Sequence, residues 1–229
     1  MARVAVITSA TNPRLKLVRK LASARQRDKL GLFVAEGEDI VDSALEAGLE
    51  PVELLIAGET IEPELLAGVS ALPHPARVIG VFRRSDLPAY EPRPVALALR
   101  RLADPGNVGT LIRTADAFGA SVELSEGCAD PTGPKALRAS AGALFRVPLG
   151  PAAGRRIGLV AHGGRPLHEL ELEAGAVFVL GAEREGLSLD LQRTCDDLAT
   201  VETPGPAESL NVAAAGAIAL YEWSRRHGG

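Results

Sequence analysis

Three short stretches in the second half of the chain set glycine, proline and small polar residues directly after apolar runs. They are Asp104-Pro-Gly-Asn-Val-Gly-Thr-Leu-Ile-Arg-Thr114, Gly181-Ala-Glu-Arg-Glu-Gly-Leu187 and Pro204-Gly-Pro-Ala-Glu-Ser-Leu-Asn-Val212. Where such turns follow strands, their backbone amides converge on a ligand. Arg113 stands four residues after Gly109, one turn into a helix that starts at a strand's carboxyl end, and suits an anion in the crevice there. Asn107, Glu183, Ser209 and Asn211 add polar side chains to the same loops. Asn and Ser also favour turns and caps, and a Glu can hold loop amides, so each has a structural reading beside a chemical one. Ser209 reads as the N-cap of the last helix.

Other chemistries find no support. The chain has no GxGxxG or GxxxxGK[ST] phosphate loop and no GxSxG nucleophile turn. His74, His162, His168 and His227 are scattered without ligand spacing, so no metal site is expected. Cys128 and Cys195 are too few and too far apart for a disulfide framework.

The elements that must position these residues alternate between strand and helix. Strands are expected at 95–99, 121–124, 157–161, 177–180 and 198–201, with helices between several of them, which predicts a largely parallel sheet with helices on both faces. The final helix is expected from 209 to about 226. Its run Ala213-Ala-Ala-Gly-Ala217 suits close packing, either within the subunit or against a second copy anchored by Tyr221 and Trp223. Upstream, Asn12-Pro13 opens one helix running to Gly31, followed by strands at 32–35, 52–57 and 77–82 and short helices at 39–47 and 63–66. Three prolines in residues 87–94 mark a linker. The expected organisation is a small α/β domain at 1–88, a linker at 89–94 and a second domain at 95–229.

An apolar fraction of 46% in 229 residues is ordinary for a packed protein. No apolar run reaches the roughly 20 residues of a membrane helix and no secretory segment is recognisable, so a cytoplasmic protein without a membrane partner is expected. The net charge of −4 hides an asymmetry: residues 1–30 carry +7 and the remainder −11. Arg14, Lys16, Arg19, Lys20 and Arg25 make this either a footprint for a phosphate backbone or a solvated helix face.

Together the three stretches resemble the signature motifs of the SpoU/TrmH-type RNA ribose methyltransferases of the SPOUT superfamily, over residues 95–223. Gly133-Pro-Lys-Ala-Leu-Arg-Ala-Ser-Ala-Gly-Ala-Leu-Phe145 resembles that family's PKxxRASAGA segment, with Lys135, Arg138 and Ser140 as RNA-phosphate or pocket contacts. Phe33-Val-Ala-Glu-Gly-Glu-Asp-Ile-Val-Asp-Ser-Ala-Leu45 looks like its substrate-binding domain. Thr203 departs from relatives that carry an apolar residue beside the proline, which alters a pocket wall without removing a backbone contact.

The resemblance implies a C-terminal trefoil knot, a homodimer, and an S-adenosylmethionine pocket built from Leu180, Gly181, Ala182, Gly186, Val201, Pro204, Ser209 and Leu210. It implies catalysis by Arg113, Asn107, Glu183, Ser209 and Asn211 on structured RNA, ribosomal favoured over transfer RNA. A ribose 2′-hydroxyl must lose a proton as it attacks the methyl group, which needs an anion stabiliser and a proton acceptor. Because an arginine side chain stays protonated near neutral pH, Arg113 is read as clamping the adjacent phosphate and stabilising alkoxide, against a literal base role. A non-catalytic RNA-binding or ribosome-assembly factor on the same fold is the alternative.

Overall fold

The computed structural model describes residues 6–206 and 208–227, so Arg3 of the basic segment lies outside the described residues. Helix α1 (Pro13–Leu21) starts where the Asn12 side chain accepts from the Arg14 amide at 2.9 Å, with proline in the first turn. It does not run on to Gly31. The chain turns extended at Ser23 and restarts as α2 (Ala24–Leu30), which Gly31 ends at φ 63°. The break has a physical reason: the carbonyls of Leu21 and Ala22, released at the end of α1, accept from the buried guanidinium of Arg27 at 2.9 and 3.0 Å.

Strands β1 (Leu32–Glu36), β2 (Glu53–Ile56) and β3 (Val78–Arg83) form an antiparallel sheet in the order β1-β3-β2, with α3 (Glu38–Glu46) and α4 (Pro63–Ala67) between them in sequence. Leu55, Ile79 and Val81 on one side of this sheet pack with Leu15, Val18 and Leu21 of α1. Phe33 and Phe82 on the other side join the core of the second half. Phe145 stacks on Phe33 at 6.2 Å, so the irregular chain at 88–93 separates two sheets that share packing.

The second half holds six parallel strands in the order β5-β4-β8-β6-β9-β7. They are β4 (Val95–Leu99), β5 (Ser121–Leu124), β6 (Arg155–Leu159), β7 (Arg165–Pro166), β8 (Ala176–Leu180) and β9 (Asp197–Thr200). Strand alternation divides the side chains: Leu97, Leu99, Phe178 and Leu180 enter the main core. Ala96, Ala98, Val177 and Val179 form a smaller cluster on the opposite face. Helices α5 (Pro105–Ala117) and α8 (Val212–His227) cover the first face, and Leu191 of α7 (Leu189–Arg193) packs on the second. Strand β7 was not expected; its two residues carry no periodicity, and it takes the sheet edge, where proline is tolerated.

Two glycines set the packing behind the site. A methyl group at Gly109 would lie 2.2 Å from the Ala136 carbonyl oxygen, so α5 and α6 (Pro134–Ser140) touch backbone to backbone. At Gly216 it would lie 2.5 Å from Leu111, which places the small-residue face of α8 against α5 inside the chain. Trp223 likewise anchors inward, its indole donating to the Glu173 carbonyl at 3.1 Å. Ile218 and Tyr221 remain exposed on the other side of α8. Among the described residues no helix is long and apolar enough to cross a membrane.

Candidate active site

In a parallel sheet the crevice opens at the carboxyl ends of strands, where neighbouring connections leave in opposite directions. Strand β4 sends its chain outward to β5, while β8 lies on its other side. All three motif loops leave carboxyl ends at this edge: 100–104 after β4, 181–188 after β8 and 201–211 after β9. The β8 loop is a tight hairpin in which Gly186, at φ 64°, donates its amide to the Ala182 carbonyl at 2.8 Å. Gly181 is obligatory there, because a Cβ on it would stand 2.1 Å from the Gly186 carbonyl carbon. Buried Leu187 then pins the loop to the far face of the sheet.

One hydrogen-bonded chain joins the three motifs. The Glu183 carboxylate accepts the Asp104 amide at 3.0 Å and the Asn107 side-chain amide at 3.3 Å. The Asn107 carbonyl oxygen in turn accepts from the Asn211 side chain at 3.2 Å. Asn211 then caps α8, its oxygen accepting the Ala213 amide at 2.8 Å. The sequence had pointed to Ser209 as this cap. The helix starts three residues later because an asparagine can donate to Asn107 and accept from the helix end at once, which a serine two residues upstream does not do. On this geometry Asn211→Ala should cost about 1 kcal/mol and lower Tm by roughly 2–4 °C in a thermal melt. Ser209→Ala should leave Tm within a degree of the parent; equal losses would restore the serine as the cap.

Burial opposes ionisation of Glu183, but its own amide, those of Asp104 and Ala103, and the Asn107 side chain outweigh it and hold the carboxyl below the usual range. Its tie to the β4 loop is therefore complete at neutral pH and is lost only as pH falls through that lowered value. Asp104 is held low as well, by Lys135 first and the Asn107 amide next. Its other oxygen caps α5, accepting the Asn107 amide at 2.9 Å.

The loops after β8 and β9, together with residues 159–162 at the end of β6, enclose a cavity of about 550 Å³, and the β4 loop stands beside it through Glu183. Leu180, Gly181, Ala182, Gly186, Val201, Ser209 and Leu210 line it, as does Glu183. Pro204 does not line it, although its neighbours Thr203 and Gly205 do. The β6 wall was missed in the sequence, though the strand expected at 157–161 had its carboxyl end at the same edge. Apolar side chains at 159, 180, 201 and 210 beside the carboxylates of Glu202 and Glu208 fit a purine nucleoside that carries a cation.

Arg113 is exposed, and neither lines this cavity nor forms an ion pair among the described residues. It sits on α5 about 9 Å along the axis beyond Asn107. Lys135 reaches the Asp104 carboxylate at 2.9 Å, which ties it to the β4 loop. Arg138 is exposed on the rim of a groove between α1 and α6. Ser140 is buried and donates to the Leu137 carbonyl, so it contacts neither pocket nor solvent. Of the basic N-terminal residues, Arg14 pairs with Glu53 at 2.9 Å and Arg19 donates to the Ala10 carbonyl. Lys16, Lys20 and Arg25 are exposed and make no ion pair among the described residues. No cluster of metal-ligating side chains occurs among the described residues.

Comparison with known proteins fits this arrangement. Residues 94–221 match the model of the SpoU rRNA Methylase family, and residues 12–84 match the MRM3-like substrate binding domain. The chain is 31% identical to the 23S rRNA (guanosine(2553)-2′-O)-methyltransferase RlmP of Bacillus subtilis, covering 94% of this chain and 97% of that one. An AdoMet-bound rRNA methyltransferase from Sinorhizobium meliloti superposes with a TM-score of 0.86 at 29% identity, covering 98% and 99% of the two chains. The SpoU methyltransferase AviRb from Streptomyces viridochromogenes, in complex with AdoMet, gives 0.82 at 26% identity, covering 95% and 99%. Methyltransferases of this family use S-adenosylmethionine. With a family model spanning the cavity and all three loops, the chain belongs to the SpoU rRNA methylase family.

Proposed function

We propose that this chain transfers the methyl group of S-adenosylmethionine to a ribose 2′-hydroxyl in structured RNA, with ribosomal RNA favoured. The observation that carries the reading is the chain Glu183–Asn107–Asn211, which ties the β4 loop to the two loops that wall a cavity of the right size and chemistry. The named activity of the Bacillus subtilis relative supports the 2′-oxygen and ribosomal RNA.

The bound cofactor supplies an electrophilic methyl group on a sulfonium. Leu180, Val201 and Leu210 would exclude water beside it, and Gly181 and Ala182 would line the wall against which it rests. Glu202 and Glu208 favour the cationic state at the rim. Asn107 and Asn211 hold the α5 and α8 ends in place. Glu183, kept ionised by amides, serves as an anchor and is a weak proton acceptor. Arg113, exposed and free of ion pairs among the described residues, grips the phosphate next to the target ribose and stabilises the developing alkoxide. The proton leaves to that phosphate or to water.

Lys16, Lys20 and Arg25 give the RNA a second, basic footing. The exposed Ile218 and Tyr221 of α8 are the surface a second subunit would cover. The return of the chain from β9 to pack α8 on β4 and β8 supports the knotted path.

Calorimetry with S-adenosylmethionine, followed by radiolabelled methyl transfer to ribosomal RNA transcripts, tests the reading. Micromolar binding and label resistant to alkaline cleavage at one nucleotide are expected. Absence of cofactor binding would favour a non-catalytic RNA-binding factor.

A further inference from the structure

The contacts between the two sheets converge on the segment that holds α6. Arg27, 4% exposed, sends Nε and Nη2 to the same Asp130 oxygen, each at 2.8 Å. Arg84, beside the end of β3, donates to that oxygen at 2.8 Å and to the Thr132 hydroxyl at 2.6 Å. The second Asp130 oxygen accepts from the amide and hydroxyl of Thr132 at 2.9 and 2.7 Å. One carboxylate of the catalytic half therefore bridges two arginines of the N-terminal unit, and Asp28 supplies the second negative charge at Arg84. Beyond α6, a Cβ on Gly142 would strike Ser43 of α3 at 2.6 Å, and Phe145 stacks on Phe33. From α6 the contact passes to α5 through the close approach at Gly109 and through Lys135 and Asp104.

We propose that Asp130 is a positioning residue: it fixes the span between the basic face of α1 and α2 and Arg113, and so selects which ribose of a bound RNA reaches the crevice. The inference rests on the RNA reading above and deepens it. Arg27 belongs to the helix pair whose outer residues Lys16, Lys20 and Arg25 are exposed, while its own guanidinium faces inward. A buried guanidinium deprived of its carboxylate cannot stay where it is without severe cost. Loss of Asp130 therefore lets the basic helices shift relative to α5. The substrate must be an RNA long enough to touch both units at once.

Asp130→Asn keeps the side-chain shape and removes the charge. Expected are a KM for long RNA raised at least tenfold, S-adenosylmethionine affinity unchanged within twofold, and methylation spread to nucleotides flanking the wild-type position. Hydrogen exchange without RNA should rise in residues 21–30. Arg84→Met, which removes one leg from a partly exposed position, should move the same readouts less and serves as the test if Asp130→Asn does not fold. Asp28→Asn, on the exposed outer leg, should leave them unchanged. An unchanged RNA KM and a single methylated nucleotide in Asp130→Asn overturn the proposal. So does a parallel loss of cofactor and RNA binding, which marks a purely structural role. A wild-type protein that methylates no RNA would sink the functional reading instead, and the exchange measurement still reports the coupling.

Discussion

Arg113→Ala is expected to lower kcat by roughly 10³-fold, the size of effect seen when a single group stabilising developing charge is removed. S-adenosylmethionine affinity should stay within about twofold, because Arg113 does not line the cavity. Folding should be untouched as well, since the side chain is exposed and makes no ion pair among the described residues. Arg113→Lys keeps the charge but loses the planar fork that grips a phosphate in two places, and should sit between, about 10–100-fold down. Its pH-rate profile should keep the wild-type shape. Near-normal activity with a displaced profile would make residue 113 the proton acceptor, and cofactor affinity falling in step with kcat would move it into the cofactor site.

Gly181→Ala should fail earlier, at binding. The new methyl group would sit 2.1 Å and 2.2 Å from the Gly186 carbonyl carbon and oxygen and 2.4 Å from the Leu187 nitrogen. All three are backbone atoms, so no rotamer change relieves the clash, and the β8 hairpin must open. Leu187 would leave its buried place and Glu183 its hold on Asp104 and Asn107. At least a 100-fold loss of S-adenosylmethionine affinity, roughly 2.7 kcal/mol, is expected by calorimetry. Gly205→Ala is the control: it lines the same cavity, but its added methyl group meets nothing within 4 Å. Wild-type affinity in Gly181→Ala would mean that the hairpin plays no part in holding the cofactor.

Local patterning made the strands of the second half and the shared edge of the three loops legible, because apolar runs ending in glycine or proline repeat there. Long-range partners explain what was not legible. The break between α1 and α2 answers to Asp130, which pairs with Arg27 from 103 residues away. The start of α8 shifts to Val212 because Asn211 is held by Asn107, 104 residues upstream. Strand β7 exists through its pairing with β9. At Glu183 the sequence left anchor and catalyst open, and the four amide donors favour the anchor. Lys135, an RNA-contact candidate in the sequence, pairs with Asp104 at 2.9 Å while its side chain stays exposed, a tie that no local pattern signals.

The bond from Asn211 back to Asn107 has a consequence for synthesis. A ribosome delivers the β4 and β8 loops first, and the wall at 201–211 only afterwards. Until that late stretch has emerged, Asn107 lacks its partner and the nucleoside chamber stands open on one side. The nascent chain is thus blind to its methyl donor through most of translation, and competence arrives in one late step.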